Sequence, residues 1–259
     1  MININKAKLA FKEYIGHYDG TDEKIQLRIK HTYKVIELSE YIGKKLKLKD
    51  EELELAKIIA LLHDIGRFEQ LKITNSYIDF NGFDHADYGV KVLFEDGKIR
   101  KFIEDKTYDP IIYTAIKNHN KYKIEDGLTD IKLLQSQLIR DSDKTDIFRI
   151  NAEEISEKTG YTSKENLVKD SISDETFEQI KAYKLIKSDK VKTELDSYLR
   201  TVAYPFDYYF IPGLKVVKEK EYINQLIKPE EYENQETRRR LIVIKNVVNH
   251  YIEEKIKES

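Results

Sequence analysis

The sequence predicts an all-α fold, and three of its properties favour this class. Apolar residues recur with helical spacing along most of the chain. The 259 residues include only 10 Gly and 4 Pro, about half the share of an average globular protein, which argues against turn-rich β sandwiches and barrels. Hydrophobic residues make up 40% of the chain and aromatic residues 11%, so a sizeable core can be buried.

The first part of the chain has the pattern of successive helices. Residues 21–48 carry one broad apolar stripe. A second helix begins at Asp50, and we expect Gly66 to end it. Turn-forming residues such as Asn81-Gly82 predict a loop over residues 67–84. Further helices are predicted over residues 84–94, 110–118 and 131–150.

The sequence changes character after residue 150. Residues 151–175 hold polar stretches, residues 183–199 have a helical pattern, and residues 204–213 form an aromatic connection. Residues 230–256 predict a charged amphipathic helix. Because no internal repeat and no flexible linker separates the two parts, we expect residues 1–150 to be a core and residues 151–259 a helical extension packed on it.

Composition argues against several functional classes. The 45 basic and 47 acidic side chains leave a net charge of −2, which gives no electrostatic footprint for long nucleic acid or an anionic membrane. The chain has no Cys, so disulfides, thiolate metal sites and a cysteine nucleophile are excluded. The N-terminus lacks a signal-peptide pattern, and the most apolar stretch, residues 55–62, is far short of the roughly 20 residues that span a bilayer. A cytoplasmic location is therefore expected.

Four of the six histidines stand out by their positions along the chain. His31 shares a helix face with apolar residues, and the pair His63-Asp64 directly follows an apolar run. His85 opens one predicted helix and His119 closes another. The acidic segment 140–146 lies within a later helix. Taken singly, any of these histidines could be a hydrogen-bonded core residue, but the ordered set indicates a common site.

The position of Asp64 suggests a metal ion. Asp64 follows five apolar residues, and a buried carboxylate costs several kcal/mol unless an opposite charge compensates it. A divalent cation supplies the largest local charge. Without cysteine, its ligands must be His, Asp or Glu, and this donor set suits Fe, Mn, Ni, Co or Zn rather than Ca.

The motif order resembles that of a known family. His31, then His63-Asp64 within Leu-Leu-His-Asp-Ile-Gly-Arg, then Asp143 within Asp-Ser-Asp-Lys, is similar to the HD superfamily of metal-dependent phosphohydrolases. The resemblance covers about residues 21–150 and implies a helical core with these motifs on adjacent helices. His85 and His119 lie between the His-Asp pair and the last Asp, as in the subset of that superfamily that binds two metals.

The resemblance implies a ligand set for two divalent transition-metal ions. The first metal would take His31, His63, Asp64 and Asp143. The second would take His85 and His119, with Asp64 bridging. A bound metal lowers the pKa of water from 15.7 to about 7, so the implied reaction is hydrolysis of a phosphoester or phosphoanhydride by a hydroxide that bridges the metals.

Cationic side chains near the motifs are candidates for holding phosphate. Arg67 and Lys144 adjoin the ligands and are, with Asp64, the predicted catalytic residues, and Lys121 is a weaker candidate. Arg67 could instead form a surface ion pair with Glu69. The loop at residues 67–84 and the aromatic stretch at residues 204–210 could cover the site and stack a base, although packing is the simpler role for the aromatics.

Other assignments also remain open at this stage. The resemblance places the last ligand at Asp143, whereas Asp141 lies on a different helical stripe and could orient a histidine or cap a neighbour. His85 and His119 could merely begin and end helices. Lys144 could be an ordinary cation on a solvated helix.

The expected substrate is a small phosphorylated metabolite, with a nucleotide as the favoured class. Two other functions are compatible with the same residues: a mixed-valence di-iron oxygenase of the same fold, and a non-catalytic nucleotide-sensing protein. The predicted partner is thus a small molecule, not long nucleic acid or a membrane, and assembly into a homo-oligomer is left open.

Overall fold

The structure, a computed structural model, describes residues 2–77, 79, 83–153 and 164–258. These residues are mostly helical and contain no β-strand, so the predicted all-α class is confirmed. The chain divides into two compact units, Met1–Asp146 and Ile147–Ser259. The expected packing of residues 151–259 on the core stays a prediction.

The described residues of the first unit form seven helices and most of an eighth that runs past its end. They are α1 (Ile4–Ile15), α2 (Glu23–Lys45), α3 (Asp50–Leu62), α4 (Ile65–Thr74), α5 (His85–Val90), α6 (Ile99–Phe102), α7 (Asp109–Asn118) and α8 (Asp130–Glu153). A π-helical turn, Lys91–Glu95, continues α5 directly. Helices α2 and α3 pack closely against each other, and the apolar face of α3 lies at the centre of the core.

Polar caps begin two of the helices that carry the histidines. The carboxylate of Asp22 accepts hydrogen bonds from the backbone N–H groups of the first turn of α2. Asp84 does the same for α5, and Pro110 lies in the first turn of α7. The two carboxylates satisfy N–H groups that a helix leaves unpaired at its start, whereas Pro110 has no N–H group that would need a partner.

The second unit has its own apolar core. Its helices are α9 (Lys164–Lys169), α10 (Asp174–Lys181), α11 (Glu194–Val202), α12 (Ile211–Glu219), α13 (Tyr222–Leu226) and α14 (Gln235–Lys257). Helix α14 packs against α10 and α12. Leu199, Ile244 and Val248 are among the fully buried residues of this core. Among the described residues, no helix is both long enough and apolar enough to cross a bilayer.

The prediction that Gly66 ends a helix and begins a loop was wrong. Helix α3 ends at Leu62, and α4 runs through residues 65–74 with Gly66 in its first turn. A Cβ atom at Gly66 would lie 2.3 Å from the carbonyl oxygen of His85 and 2.7 Å from the backbone nitrogen of Gly89. The glycine therefore permits close backbone approach of α4 to α5 rather than a chain stop. The predicted turn at Asn81-Gly82 lies outside the described residues.

The helix predicted over residues 183–199 was also wrong in its first half. Tyr183 has φ +54°, in the left-handed region, and α10 ends before it. Helix α11 begins only at Glu194, where Thr193 Oγ1 accepts a hydrogen bond from the N–H of Asp196. The apolar residues keep a helical spacing through residues 183–193, but the left-handed backbone at Tyr183 does not allow a helix to continue there.

Candidate metal centre

The first donor group comes from helices α2 and α8 and from the link between α3 and α4. His31 lies within α2 and Asp143 within α8. His63 and Asp64 form the whole link between α3 and α4. His31 and His63 are 0% exposed and Asp64 is 3% exposed. These side chains thus lie inside the unit although they are distant in sequence.

The donor atoms of this group surround a single point. His31 Nε2 lies 3.1 Å from Asp143 Oδ1 and 3.5 Å from Asp64 Oδ2. His63 Nε2 lies 3.4 Å from Asp64 Oδ2 and 3.6 Å from Asp143 Oδ1. Two imidazole nitrogens and two carboxylate oxygens are therefore mutually close.

A second donor group lies on the other oxygen of Asp64. His85 is the first residue of α5, and His119 directly follows α7. Their Nε2 atoms are 3.0 Å apart, and each lies 3.6 Å from Asp64 Oδ1. Asp64 therefore offers one carboxylate oxygen to each group, as a bridging ligand would.

A carboxylate orients one histidine of each group: Asp146 is buried, and Asp79 is exposed. Asp146 Oδ2 lies 2.7 Å from His31 Nδ1. Asp79 Oδ2 lies 2.7 Å from His85 Nδ1. An ionised carboxylate only accepts hydrogen bonds, so Nδ1 carries the hydrogen in both rings. Nε2 of each neutral ring then holds the lone pair that a metal requires.

Backbone carbonyls orient the other two histidines. His63 Nδ1 donates to the carbonyl oxygen of Ala60 at 2.8 Å. His119 Nδ1 donates to the carbonyl oxygen of Ile116 at 2.6 Å. Each acceptor lies three residues earlier, at the end of the preceding helix. The helix ends thus supply the same orientation that the carboxylates supply elsewhere.

The donor atoms fit metal ions. The Nε2 atoms of His31 and His63 are buried and have no hydrogen-bond partner among the described residues. The Nε2 lone pairs of His85 and His119 face each other at 3.0 Å, which is repulsive unless a positive charge lies between them. Metal–ligand bonds of about 2.0–2.2 Å separate neighbouring ligand atoms by about 2.8–3.6 Å, and the separations described above fall in that range.

The electrostatics of the site favour ionised carboxylates. Burial opposes ionisation of Asp64, but Arg28 and His63 hold the pKa of that carboxyl well below its usual range. Burial likewise disfavours the His63 imidazolium, but Asp64 and Asp143 outweigh it and raise the pKa of His63 to about 10. Burial, reinforced by Arg67, lowers the pKa of His85 to about 4. The first group thus attracts positive charge strongly, and His85 is neutral at pH 7.

Two arginines flank the carboxylate of Asp64. Arg28 Nη1 donates to Asp64 Oδ2, and its guanidinium carbon lies 4.5 Å from the ring centroid of Tyr77. Arg67 Nε lies 3.8 Å from Asp64 Oδ1, while its Nη1 donates to Asp79 Oδ1 at 3.0 Å. The Arg28 and Arg67 side chains are 12% and 14% exposed. They place fixed positive charge beside both groups of donor atoms.

The predicted lysines lie in different surroundings. Lys144 is buried on α8, and successive residues of a helix point about 100° apart, so it does not share the face of Asp143. Lys121 Nζ donates to Asp84 Oδ2 at 2.7 Å and to Asp87 Oδ2 at 3.1 Å. Phosphate binding by either lysine stays a prediction.

The structure bears on the alternative roles of Arg67 and of the aromatic stretch at residues 204–210. The described residues show no ion pair between Arg67 and Glu69, whose Oε2 instead accepts a hydrogen bond from Tyr18 at 3.1 Å. The aromatic stretch lies in the second unit, where the Phe206 ring packs 4.9 Å from that of Tyr251. These contacts favour packing as its role.

Sequence reasoning missed three side chains of the site. Arg28 precedes His31 by three residues, and Asp146 follows Asp143 by three, so both share a helix face with a ligand candidate. That spacing could have identified them. Asp79 comes from an irregular segment, and no periodic signal marks it.

A scan against protein-family models matches residues 28–147 to the family described as HD domain. The matched range contains every one of the candidate ligands. Comparisons with curated proteins and with solved structures find no match.

Proposed function

Residues 28–147 form an HD domain, the mark of a superfamily of metal-dependent hydrolases, and from this premise we propose a dinuclear phosphohydrolase. Its substrate would be a phosphoester or phosphoanhydride of a small phosphorylated metabolite. The observation that carries the proposal is the position of Asp64, with Oδ2 in one group of donors and Oδ1 in the other.

The ligand residues would hold two divalent metals of the Fe, Mn, Ni, Co or Zn type. His31, His63 and Asp143 would bind the first with Asp64, and His85 and His119 would bind the second. When bound, such metals make a coordinated water acidic near neutral pH and neutralise charge on phosphoryl oxygens. The imidazoles stay fixed because each has an oxygen acceptor at Nδ1.

The two arginines would bind and orient the phosphoryl group. Arg28 and Arg67 lie on either side of Asp64, largely shielded from water. Guanidinium groups match phosphate oxygens bidentately, and their attraction strengthens where water is excluded. Stacking on Tyr77 holds the Arg28 guanidinium plane in place. Arg28 therefore joins Arg67 as a substrate-binding candidate.

A small substrate, with a nucleotide as the favoured class, accords with the charge of the chain. A net charge of −2 supplies no extended positive surface for a polyanion. The positive charge next to the donor atoms is instead local, on Arg28 and Arg67. A single phosphorylated group is what such a local cluster recognises.

Metal content and hydrolysis can be measured together on wild type and on Asp64→Asn. We expect the wild type to retain two transition metals and to hydrolyse members of a panel of phosphomonoesters, phosphodiesters and nucleotides. Asp64→Asn should lose both metal retention and turnover because it removes the charge that both donor groups share. The matched control is Asp109→Asn, since Asp109 also pairs with an arginine, Arg100, but lies outside the donor groups.

The outcomes separate the proposal from its alternatives. Unchanged hydrolysis in Asp64→Asn would refute it. Dioxygen consumption with an iron-dependent spin-resonance signal, and no hydrolysis, would indicate the di-iron oxygenase. Tight nucleotide binding without turnover in any metal would indicate the sensing protein.

A further inference from the structure

One buried cation contacts the chain next to the metal centre without being a candidate ligand. Arg140, on α8, is 1% exposed and is among the largest fully buried side chains. Its Nη1 donates to the carbonyl oxygens of Asn118 at 2.9 Å, His119 at 3.3 Å and Lys121 at 2.6 Å. A buried guanidinium thus donates hydrogen bonds to three carbonyl oxygens of a single turn, residues 118–121.

That turn is the end of α7 and carries His119. The last carbonyls of a helix have no partner within the helix and carry the negative end of its dipole. A cation placed there satisfies them and fixes the direction in which the chain leaves the helix. His119 Nδ1 also donates to the carbonyl oxygen of Ile116 in the same helix end, so Arg140 holds the backbone of this residue and Ile116 holds its ring.

The same turn also holds the start of α5. Asn120 Nδ2 donates to Asp84 Oδ1 at 2.9 Å, and Lys121 Nζ donates to Asp84 Oδ2 at 2.7 Å. Asp84 is the N-cap of α5, whose first residue is His85. The hydrogen bonds from Arg140 to the turn, and from the turn to Asp84, therefore form a path that connects Arg140 with both histidines of the second donor group.

The contacts that orient the first donor group lie outside this path, while the His63 and His119 rings pack edge to face with centroids 5.2 Å apart. His31 is oriented by Asp146, and His63 by the carbonyl of Ala60. Neither contact involves residues 118–121. A disturbance of the turn should therefore weaken the second group of donors more than the first.

We propose that Arg140 is a positioning residue for the second metal site. It sets the relative position of His85 and His119 through the turn at residues 118–121, without contacting metal or substrate itself. This inference rests on the proposed two-metal centre, and its test is metal binding rather than turnover.

The test is calorimetric titration with Mn²⁺ alone, combined with metal analysis after dialysis, on Arg140→Met and Arg140→Lys. Arg140→Met fills similar space without donors, and we expect the second site to weaken by about 10–100-fold, as for other residues that orient ligands. The first site should stay within twofold of wild type. Arg140→Lys keeps a cation near the carbonyls and should retain more second-site affinity.

Two further variants keep the test decisive. Arg100→Met is the control, because Arg100 also donates to a carbonyl, that of Glu104, and pairs with Asp109 outside the donor groups. It should leave both sites unchanged. If Arg140→Met does not fold, Asn120→Ala replaces it, since it breaks the contact of the turn with Asp84.

The inference would be overturned by equal weakening of both sites, or by an unchanged second site. A wild type that hydrolyses phosphate esters but binds a single Mn²⁺ would also overturn it. Two bound ions without any hydrolysis would reject the proposed function and leave the role of Arg140 standing.

Discussion

Replacement of Asp146 by asparagine should weaken metal binding at the first donor group. Asp146 Oδ2 lies 2.7 Å from His31 Nδ1, and the two residues are 1% and 0% exposed. The carboxylate fixes the ring orientation and makes Nε2 a stronger donor. Asparagine has nearly the same shape, so the change removes charge without creating a cavity.

The size of the effect follows from this contact. Loss of a ligand-orienting partner lowers metal affinity by about 10–100-fold, which corresponds to about 1.4–2.7 kcal/mol. A charge-assisted hydrogen bond contributes about 1.5–3 kcal/mol, in agreement. Asp146→Asn keeps a neutral acceptor and should fall near the lower limit, whereas Asp146→Ala should approach the upper one.

Calorimetric titration with Mn²⁺ measures this effect, and Asp196→Asn is the matched control. Asp196 is also a buried carboxylate, but it accepts backbone hydrogen bonds from Ser173 and Lys192 in the second unit. Its substitution should lower stability and leave metal affinity unchanged. An Asp146→Asn affinity within twofold of wild type, or an equal fall in both variants, would refute the reasoning.

Two other predictions concern the stability of the first unit, at Gly66 and Tyr14. Gly66→Ala should lower the free energy of unfolding by about 1–3 kcal/mol, because its Cβ would clash with the carbonyl oxygen of His85. Denaturant titration measures this change. The control is Gly20→Ala, whose Cβ would have no neighbour within 4 Å, and its stability should be near that of wild type. Burial raises the pKa of Tyr14 to about 12, so its contribution to stability is complete below about pH 10 and is lost as the pH rises towards 12. Tyr14→Phe should flatten that alkaline loss, and an equally steep loss in the variant would contradict the assignment.

The parts of the fold that the sequence predicted are those with strong local signals. Helices α2, α7 and α8 combine a sustained apolar stripe or a clear first turn with polar flanks, and their predicted and observed ends agree within three residues. Helix α14 was also predicted, but it begins at Gln235, five residues later than expected. The candidate ligands were recognisable because their order along the chain is distinctive. The structure brings them within a few ångströms, and their role as metal ligands stays a prediction.

The parts that sequence reasoning missed depend on tertiary contacts. Gly66 is typical of a helix end, but here it lies inside α4 because the backbone of α5 approaches it. Asp79 reaches His85 from an irregular segment held by Arg67 and Gln70. Such contacts leave no periodic trace in a single sequence. The positive φ of Tyr183 is likewise a property of the folded chain.

Anomalous diffraction from crystals grown with Mn²⁺ is the most direct test of the two-metal centre. We expect two peaks: one among His31, His63, Asp64 and Asp143, and a second among Asp64, His85 and His119. A single peak, or peaks away from these residues, would contradict the account.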